Sequence, residues 1–447
     1  MAFKSYKIYK SVEVSKEELG YKTLWGNMSQ KAFKRANWQG MLIDSDISYT
    51  DGAHNMVPFD LDNDSKMEMI ANSYRSDALI LYKCDGQIDR PENWSRYVID
   101  PSVGGGIPWQ NLFQFAKSFI KEKLFGAFRG GAHFIEIADM NNDGRNDIVI
   151  AGDKKRNDII WYEVPDDIKK SSSYKKHVVY RNNSHRTYHI GTNDIDGDGM
   201  RDIVFAAKTD NSIGWLKNNG SLNEWPLTWI DTDCVRCFNA RIADMDKNGK
   251  SDIIASEDDL IAGGKLHIFS FKENPLLKKN WIDCAVAEFP KGHGVSIFEI
   301  IDIDIDGDLD VVTGNHQGDV YIIENNFPHN MNEEWNKYKI NDFNINMGHD
   351  FREIDVGDID GDRDLDIIVA DEGKNMIIWF ENPGNPYDEG WTSHVLDKSD
   401  QYLNWCHFVE LKDIDGDEDL DAAVTAAGSN TFLIYLNNIT ANVKKDF

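Results

Sequence analysis

The 447-residue chain is 41% hydrophobic, enough to bury a large core, and its length alone permits two or three domains. Its 76 acidic against 48 basic residues, a formal net charge of -28, exclude general nucleic-acid binding, which needs a basic footprint for the phosphates. No apolar run approaches the ~20 residues that cross a bilayer, so no membrane span is expected.

The opening MAFKSYKIYK lacks the h-region of a signal peptide, which predicts a cytoplasmic chain; secretion or a periplasmic location after removal of a leader is the alternative. Residues 6–12 (Tyr-Lys-Ile-Tyr-Lys-Ser-Val) read as a strand similar to residues 338–340. Residues 13–53 then form a first insertion. Beyond them a period emerges, marked by an Asp-rich loop whose first aspartates are Asp60, Asp139, Asp194, Asp244, Asp302, Asp358 and Asp413. The intervals are 79, 55, 50, 58, 56 and 55 residues, and the long one contains residues 103–130. There Leu112, Phe115, Ala116, Phe119, Ile120 and Leu124 fall at helical spacing, which predicts an inserted amphipathic helix.

Each period holds four strand-like pieces. In the third they are a stretch entering the loop, then residues 203–207, 212–216 and 225–232. The third piece recurs at 79–82, 159–162, 266–269, 320–323, 377–380 and 432–435; the fourth at 94–99, 174–180, 281–287, 335–340 and 391–396. Four strands every fifty-odd residues make a propeller blade. The last repeat ends before its fourth strand, which residues 6–12 are expected to supply, removing the open edge. The prediction is one all-β domain over 1–447, a seven-bladed β-propeller of four-stranded blades. Its ring is closed by the N-terminal strand, with both inserts on the channel-mouth face.

The loops place oxygen-bearing side chains at positions 1, 3, 5 and 9. They are Asp60, Asp62, Asp64, Glu68; Asp139, Asn141, Asp143, Asp147; Asp194, Asp196, Asp198, Asp202; and Asp244, Asp246, Asn248, Asp252. The last three sets are Asp302, Asp304, Asp306, Asp310; Asp358, Asp360, Asp362, Asp366; and Asp413, Asp415, Asp417, Asp421. Carboxylates packed this closely repel without a cation, and all-oxygen ligation suits calcium better than magnesium. Several structural calcium ions are therefore expected. The five cysteines are too scattered for a disulfide framework, and Cys234-Val-Arg-Cys237 is a lone CxxC.

Through DIDGDGMRDIV, DIDGDRDLDIIVA, DIDGDEDLDAAV and WFENPG the chain resembles the FG-GAP or VCBS-type calcium propellers. These include integrin α-chain heads, fungal seven-bladed lectins, some polysaccharide lyases and aldos-2-ulose dehydratase. The resemblance implies fold and calcium; function has to come from the site.

Counting back six from each first loop aspartate gives His54, His133, Tyr188, Phe238, Ser296, Arg352 and His407 at the mouth of the channel. Counting back nine adds His185, His293 and His349. With His189, seven of the twelve histidines enter first strands, crowded on blades 7, 1, 2 and 3. The inserts add Trp25, Trp38 and Trp109 with Lys31, Lys34, Arg35 and Arg129. Aromatic faces suit sugar rings and cations suit a carboxylate.

The expected partner is thus an anionic carbohydrate, and the expected activity a β-elimination lyase on a uronate-containing oligo- or polysaccharide, or a related sugar dehydratase. In that scheme Arg352 clamps the carboxylate, His133 or His54 is the base, and Tyr188 is the acid. His189, His349 and His407 position groups or hold a further metal at the mouth. Trp25, Trp38, Trp109, Arg35 and His293 bind substrate. The rival expectation is a non-catalytic calcium-stabilised lectin or protein-interaction module.

Overall fold

The computed structural model describes residues 8–10, 38–46, 50–103, 131–153, 158–181, 187–325, 334–341 and 348–439. They form seven antiparallel sheets, one per predicted repeat. In blade 3 the order from the channel outward is Thr187–Asn193, Asp202–Ala207, Ser212–Leu216 and Leu227–Asp231. Each first strand begins at the mouth and ends at the Asp-rich loop, which returns the chain into the second strand.

Second strands such as Asp202–Ala207 and Asp366–Asp371 are buried throughout because a neighbouring blade covers each face. The apolar core lies between blades: Trp215 of blade 3 meets Trp281 of blade 4 edge to face, with Cys234 and Cys237 buried beside them. All five cysteines are free thiols. No helix among the described residues is long and apolar enough to cross a membrane.

Closure of the ring differs from expectation. The fourth strand of blade 7 is Gln39–Asp44, paired with Thr431–Leu436, while Ile8–Lys10 adds outside it as a fifth strand. The outer strand needs one apolar face for the blade, and Met41 and Ile43 supply it at 0% and 2% exposure. Residues 13–53 are therefore not an insert between a fourth and a first strand. Lys10 pairs with Gln39, opposite Leu436, so Lys10 and Gln39 both lie at the acidic-loop end, the face opposite the mouth. Trp38 accordingly packs with Ile359, Trp379 and Tyr435 in the core between blades 6 and 7 rather than at the mouth. Trp25, Arg35, Trp109 and the predicted helix lie outside the described residues. Across the closure, Thr425 Oγ1 of blade 7 donates to the His54 carbonyl of blade 1 at 2.7 Å.

The seven acidic loops share one backbone path. Position 4 has positive φ in every copy, at Asn63, Asn142, Gly197, Lys247, Ile305, Gly361 and Gly416, and so does position 6, at Ser65, Gly144, Gly199, Gly249, Gly307, Arg363 and Glu418. Glycine fills only part of these sites. The remaining side chains are held in a region that costs ~1–2 kcal/mol, compensated by the position 1 carboxylate. Asp60 accepts from the amides of Asp64 and Ser65, and Asp358 from those of Asp362 and Arg363.

Position 9 stitches the loop to the blade. Asp202 Oδ2 accepts from Ile195 N and its Oδ1 from Asn218 N; Asp147, Asp310, Asp366 and Asp421 repeat the pattern. The Asn218, Asn325 and Asn437 side chains then donate to the Met140, Met245 and Ile359 carbonyls of the preceding blades. Asp202→Ala would orphan two buried amides at ~1–3 kcal/mol each, whereas Asp202→Asn keeps one acceptor. Urea unfolding in chelator should therefore show Asp202→Ala losing about 2–5 kcal/mol and Asp202→Asn clearly less.

Candidate functional site

The first strands carry the predicted mouth residues to one place. His54, His133, Tyr188, His189, Arg352 and His407 line a single cavity of about 210 Å³, together with Asn55, Tyr74, Phe134, Phe238, Glu353, Glu372 and Trp405. The rings form a continuous arc. His407 to His54 and His54 to His133 are each 4.1 Å between centroids, His133 to Tyr188 is 4.3 Å, and Tyr188 to Phe238 is 4.7 Å.

Hydrogen bonding orders these rings. His54 Nδ1 faces the Asn55 side-chain oxygen at 3.0 Å, so that nitrogen carries the proton and Nε2 is left as an acceptor. His407 Nε2 lies 2.7 Å from it and donates, presenting its own Nδ1 to Glu372 at 3.5 Å. The bonded run is His407, His54, Asn55, with Glu372 close to the His407 Nδ1 but not hydrogen-bonded to it. His133 stands outside it, with a buried Nδ1 that has no protein partner, as does His189.

Burial holds His133 well below the ordinary histidine value of 6.5, helped by the neighbouring His54, His407, His189 and Lys208. His54 is lowered by burial and then by His407, and His189 by burial and then by Arg241. At neutral pH these three imidazoles carry no charge.

Arg352 enters the cavity from blade 6, held by Asp350 and Glu372 at 2.8 Å each. Burial alone would raise Glu372, but the neighbouring His407 and the Arg352 charge outweigh it and keep the carboxyl below 4.5. His349 and His293 stand apart from the cavity lining: His349 is bound to Asp371, and His293 to Asp319 at 2.6 Å. Lys208 places its ammonium 4.5 Å from the Tyr188 ring centroid and 3.9 Å from that of Phe238.

Tyr74, Glu372 and Lys208 lie outside a count that runs backward from the loop. Each follows the end of a second strand, fourteen positions after the first loop aspartate (60 to 74, 358 to 372, 194 to 208), where antiparallel pairing returns the chain to the mouth.

Beneath the mouth, the channel widens into a second cavity of about 380 Å³ that shares Glu353 and Phe134 with the first. Three positions before the first loop aspartates, Glu136, Arg241, Glu299, Asp355 and Glu410 form an inward ring, with Arg241 bonded to Glu299. Gly191 occupies the same position in blade 3, and a Cβ there would meet the Arg241 Cα at 3.3 Å. Burial raises the carboxyls from 4.5 to about 7 at Glu136 and about 8 at Glu299 and Glu353, with the Arg241 charge opposing.

At the other end of the blades the acidic side chains converge as a cation requires. Asp60, Asp62 and Glu68; Asp194, Asp196 and Asp202; Asp244, Asp246 and Asp252; Asp302, Asp304 and Asp306; and Asp358, Asp360 and Asp366 each offer oxygens within 4.8 Å of one another. The donor set is oxygen only, the chemistry of a hard cation.

Comparison with known families matches residues 194–255 and 358–424 to an FG-GAP-like repeat, covering the loops of blades 3, 4, 6 and 7. Among curated proteins none matches the chain.

Proposed function

For a chain that is an FG-GAP-type seven-bladed β-propeller, we propose a carbohydrate-active lyase working by β-elimination on a uronate-containing glycan, or a related sugar dehydratase, at the channel mouth. The observation that carries this reading is an asymmetric cavity in which neutral imidazoles, a tyrosine and an arginine converge from different blades rather than as a repeated set. A multivalent lectin would repeat one pocket in several blades.

Elimination needs the substrate carboxylate neutralised, its α-proton removed and the leaving oxygen protonated. Arg352 serves the first with the edge that Asp350 and Glu372 leave open. His133 is the base, since its Nδ1 has no hydrogen-bond partner and its ring is not committed to the His407–His54 bond. Tyr188, next along the arc, is the acid. Lys208, over the Tyr188 ring, favours anionic charge near that hydroxyl.

The acidic loops hold calcium in this reading. Bound calcium there clamps the strand 1–2 hairpins and takes no part in the chemistry, which lies at the opposite face. A further metal at the mouth is a second reading, which the imidazole cluster favours. The 2.7 Å approach of His54 and His407 is nonetheless shorter than the ~3.3 Å separating two imidazole nitrogens on a tetrahedral zinc, and suits a shared proton.

The test is incubation with a panel of uronate-containing oligosaccharides, following the absorbance of the unsaturated uronate product. Product from at least one is expected. None across a broad panel, with several equivalent sugar-binding sites by calorimetry, would replace the lyase by the lectin.

A further inference from the structure

The seven loops resemble one another, but the residue facing each from the third strand does not. Strand register sets one residue opposite position 9 of every loop. It is Lys83 in blade 1, Glu163 in blade 2, Lys217 in blade 3, Ser270 in blade 4, Glu324 in blade 5, Glu381 in blade 6 and Leu436 in blade 7.

In blade 1 the Lys83 ammonium reaches into the loop, 2.9 Å from Asp62, 2.9 Å from Asp64 and 2.5 Å from Glu68, with its side chain only 8% exposed. In blade 3 Lys217 bonds Asp196 and lies 2.7 Å from Asp198. In blades 5 and 6 the same position is a glutamate rather than a cation, and its carboxylate is bonded toward the fourth strand, Glu324 by Tyr338 and Asn336 and Glu381 by His394. Arg145 of blade 2 touches Asp143 too, but from the loop rim, a third exposed and shared with Asp166.

We propose that Lys83 and Lys217 are built-in cations that take the place of calcium in the loops of blades 1 and 3, so that these two blades are fixed without metal. The inference rests on the calcium reading of the remaining loops. An ammonium with three hydrogen-bond donors engages one oxygen each of Asp62, Asp64 and Glu68 in blade 1 and of Asp196 and Asp198 in blade 3, and it is tethered to the strand it braces. A calcium ion seated on the same oxygens at ~2.3–2.6 Å would stand within about 4 Å of the ammonium, and Lys83 has little room to withdraw. Asp62 Oδ1 and Asp196 Oδ1 are buried without a protein partner, so the ammonium engages one oxygen of each of these aspartates. Blade 1 and blade 3 are also those whose first strands carry His54, Tyr188 and His189. Their anchorage would thus be independent of calcium supply.

The experiment is hydrogen exchange by mass spectrometry on the full chain, with calcium and after chelation, read loop by loop. Chelation is expected to speed exchange at residues 302–310 and 358–366 by about tenfold or more, and to leave 60–68 and 194–202 unchanged. Lys83→Met should move residues 60–68 into the calcium-dependent class. Lys217→Met, at a more accessible side chain, should do the same for 194–202, and serves alone if the first variant fails to fold. Calcium dependence of the blade 1 and blade 3 loops in the unaltered chain would overturn the proposal, as would variants whose loops stay indifferent to calcium while blades 5 and 6 respond. If no loop responds, the calcium reading falls, and this inference with it.

Discussion

His133→Ala is expected to reduce kcat/KM on a uronate-bearing oligosaccharide by at least about 100-fold, the usual contribution of a positioned general base. His133 is buried, uncharged at neutral pH and in contact with His54 on one side and Tyr188 on the other. Elimination places base and acid around the α and β carbons of one sugar ring, and in the proposed scheme this adjacency would supply both. His54→Ala should cost less, because its free lone pair is already engaged by His407. The pH profile gives a second reading. A base whose pKa stands below 6.5 stays competent as the solution is acidified, so the acid limb of kcat/KM should fall below pH 6.5 rather than at it. Equal rates for both alanine variants and the unaltered chain would remove these histidines from the mechanism. A profile falling through pH 6.5 would point to a solvent-exposed base instead.

Arg241→Met is expected to destabilise the chain by about 3–5 kcal/mol near pH 8, the cost of stripping a buried ionic cluster of its cation. Arg241 is bonded to Glu299, and its charge holds down the pKa values of Glu136, Glu299, Glu353 and Asp355. Each of these groups nevertheless has a folded value above its unfolded one. Such a carboxyl keeps its proton more firmly in the folded chain. Its stabilising contribution is complete below about pH 4.5 and is lost as the pH rises through about 7 for Glu136 and about 8 for Glu299 and Glu353. The thermal midpoint should therefore decline between pH 6 and 9, and more steeply in Arg241→Met, where nothing offsets ionisation. Glu299→Gln on that background should restore part of the loss. Scanning calorimetry at pH 6 and pH 8.5 decides this: a variant equally affected at both would show that Arg241 acts by packing alone.

Much of the mouth was legible because the repeat provides a ruler. A loop with fixed length and fixed backbone path keeps position six before Asp60, Asp139, Asp194, Asp358 and Asp413 at the same height in the channel, which brings His54, His133, Tyr188, Arg352 and His407 together. The same ruler read three back would have found the Glu136, Arg241, Glu299, Asp355 and Glu410 ring, and read fourteen forward Glu372. These positions differ from blade to blade, so the repeat fixes their place without marking them by residue type. Trp38 was misplaced for another reason. Residues 6–12 resemble the other outer strands, but that local likeness does not decide which segment pairs with residues 431–436, and residues 39–44, inside the expected insert, take that place.

What the sequence by itself determined was the number of blades, the order of strands within each and the acidic loop that ties the first to the second, because these follow from local periodicity and turn chemistry repeated seven times. What only the tertiary structure decided was everything that depends on partners distant in sequence. Gln39–Asp44 closes the ring because Met41 and Ile43 find the core beside Ile434, nearly 400 residues away. His407 orders His54 across the same seam, and lysines rather than glutamates face two loops because register places them there. Local sequence specifies the blade; the partners each side chain meets are set where blade packs against blade, by burial and hydrogen bonding that no single repeat contains.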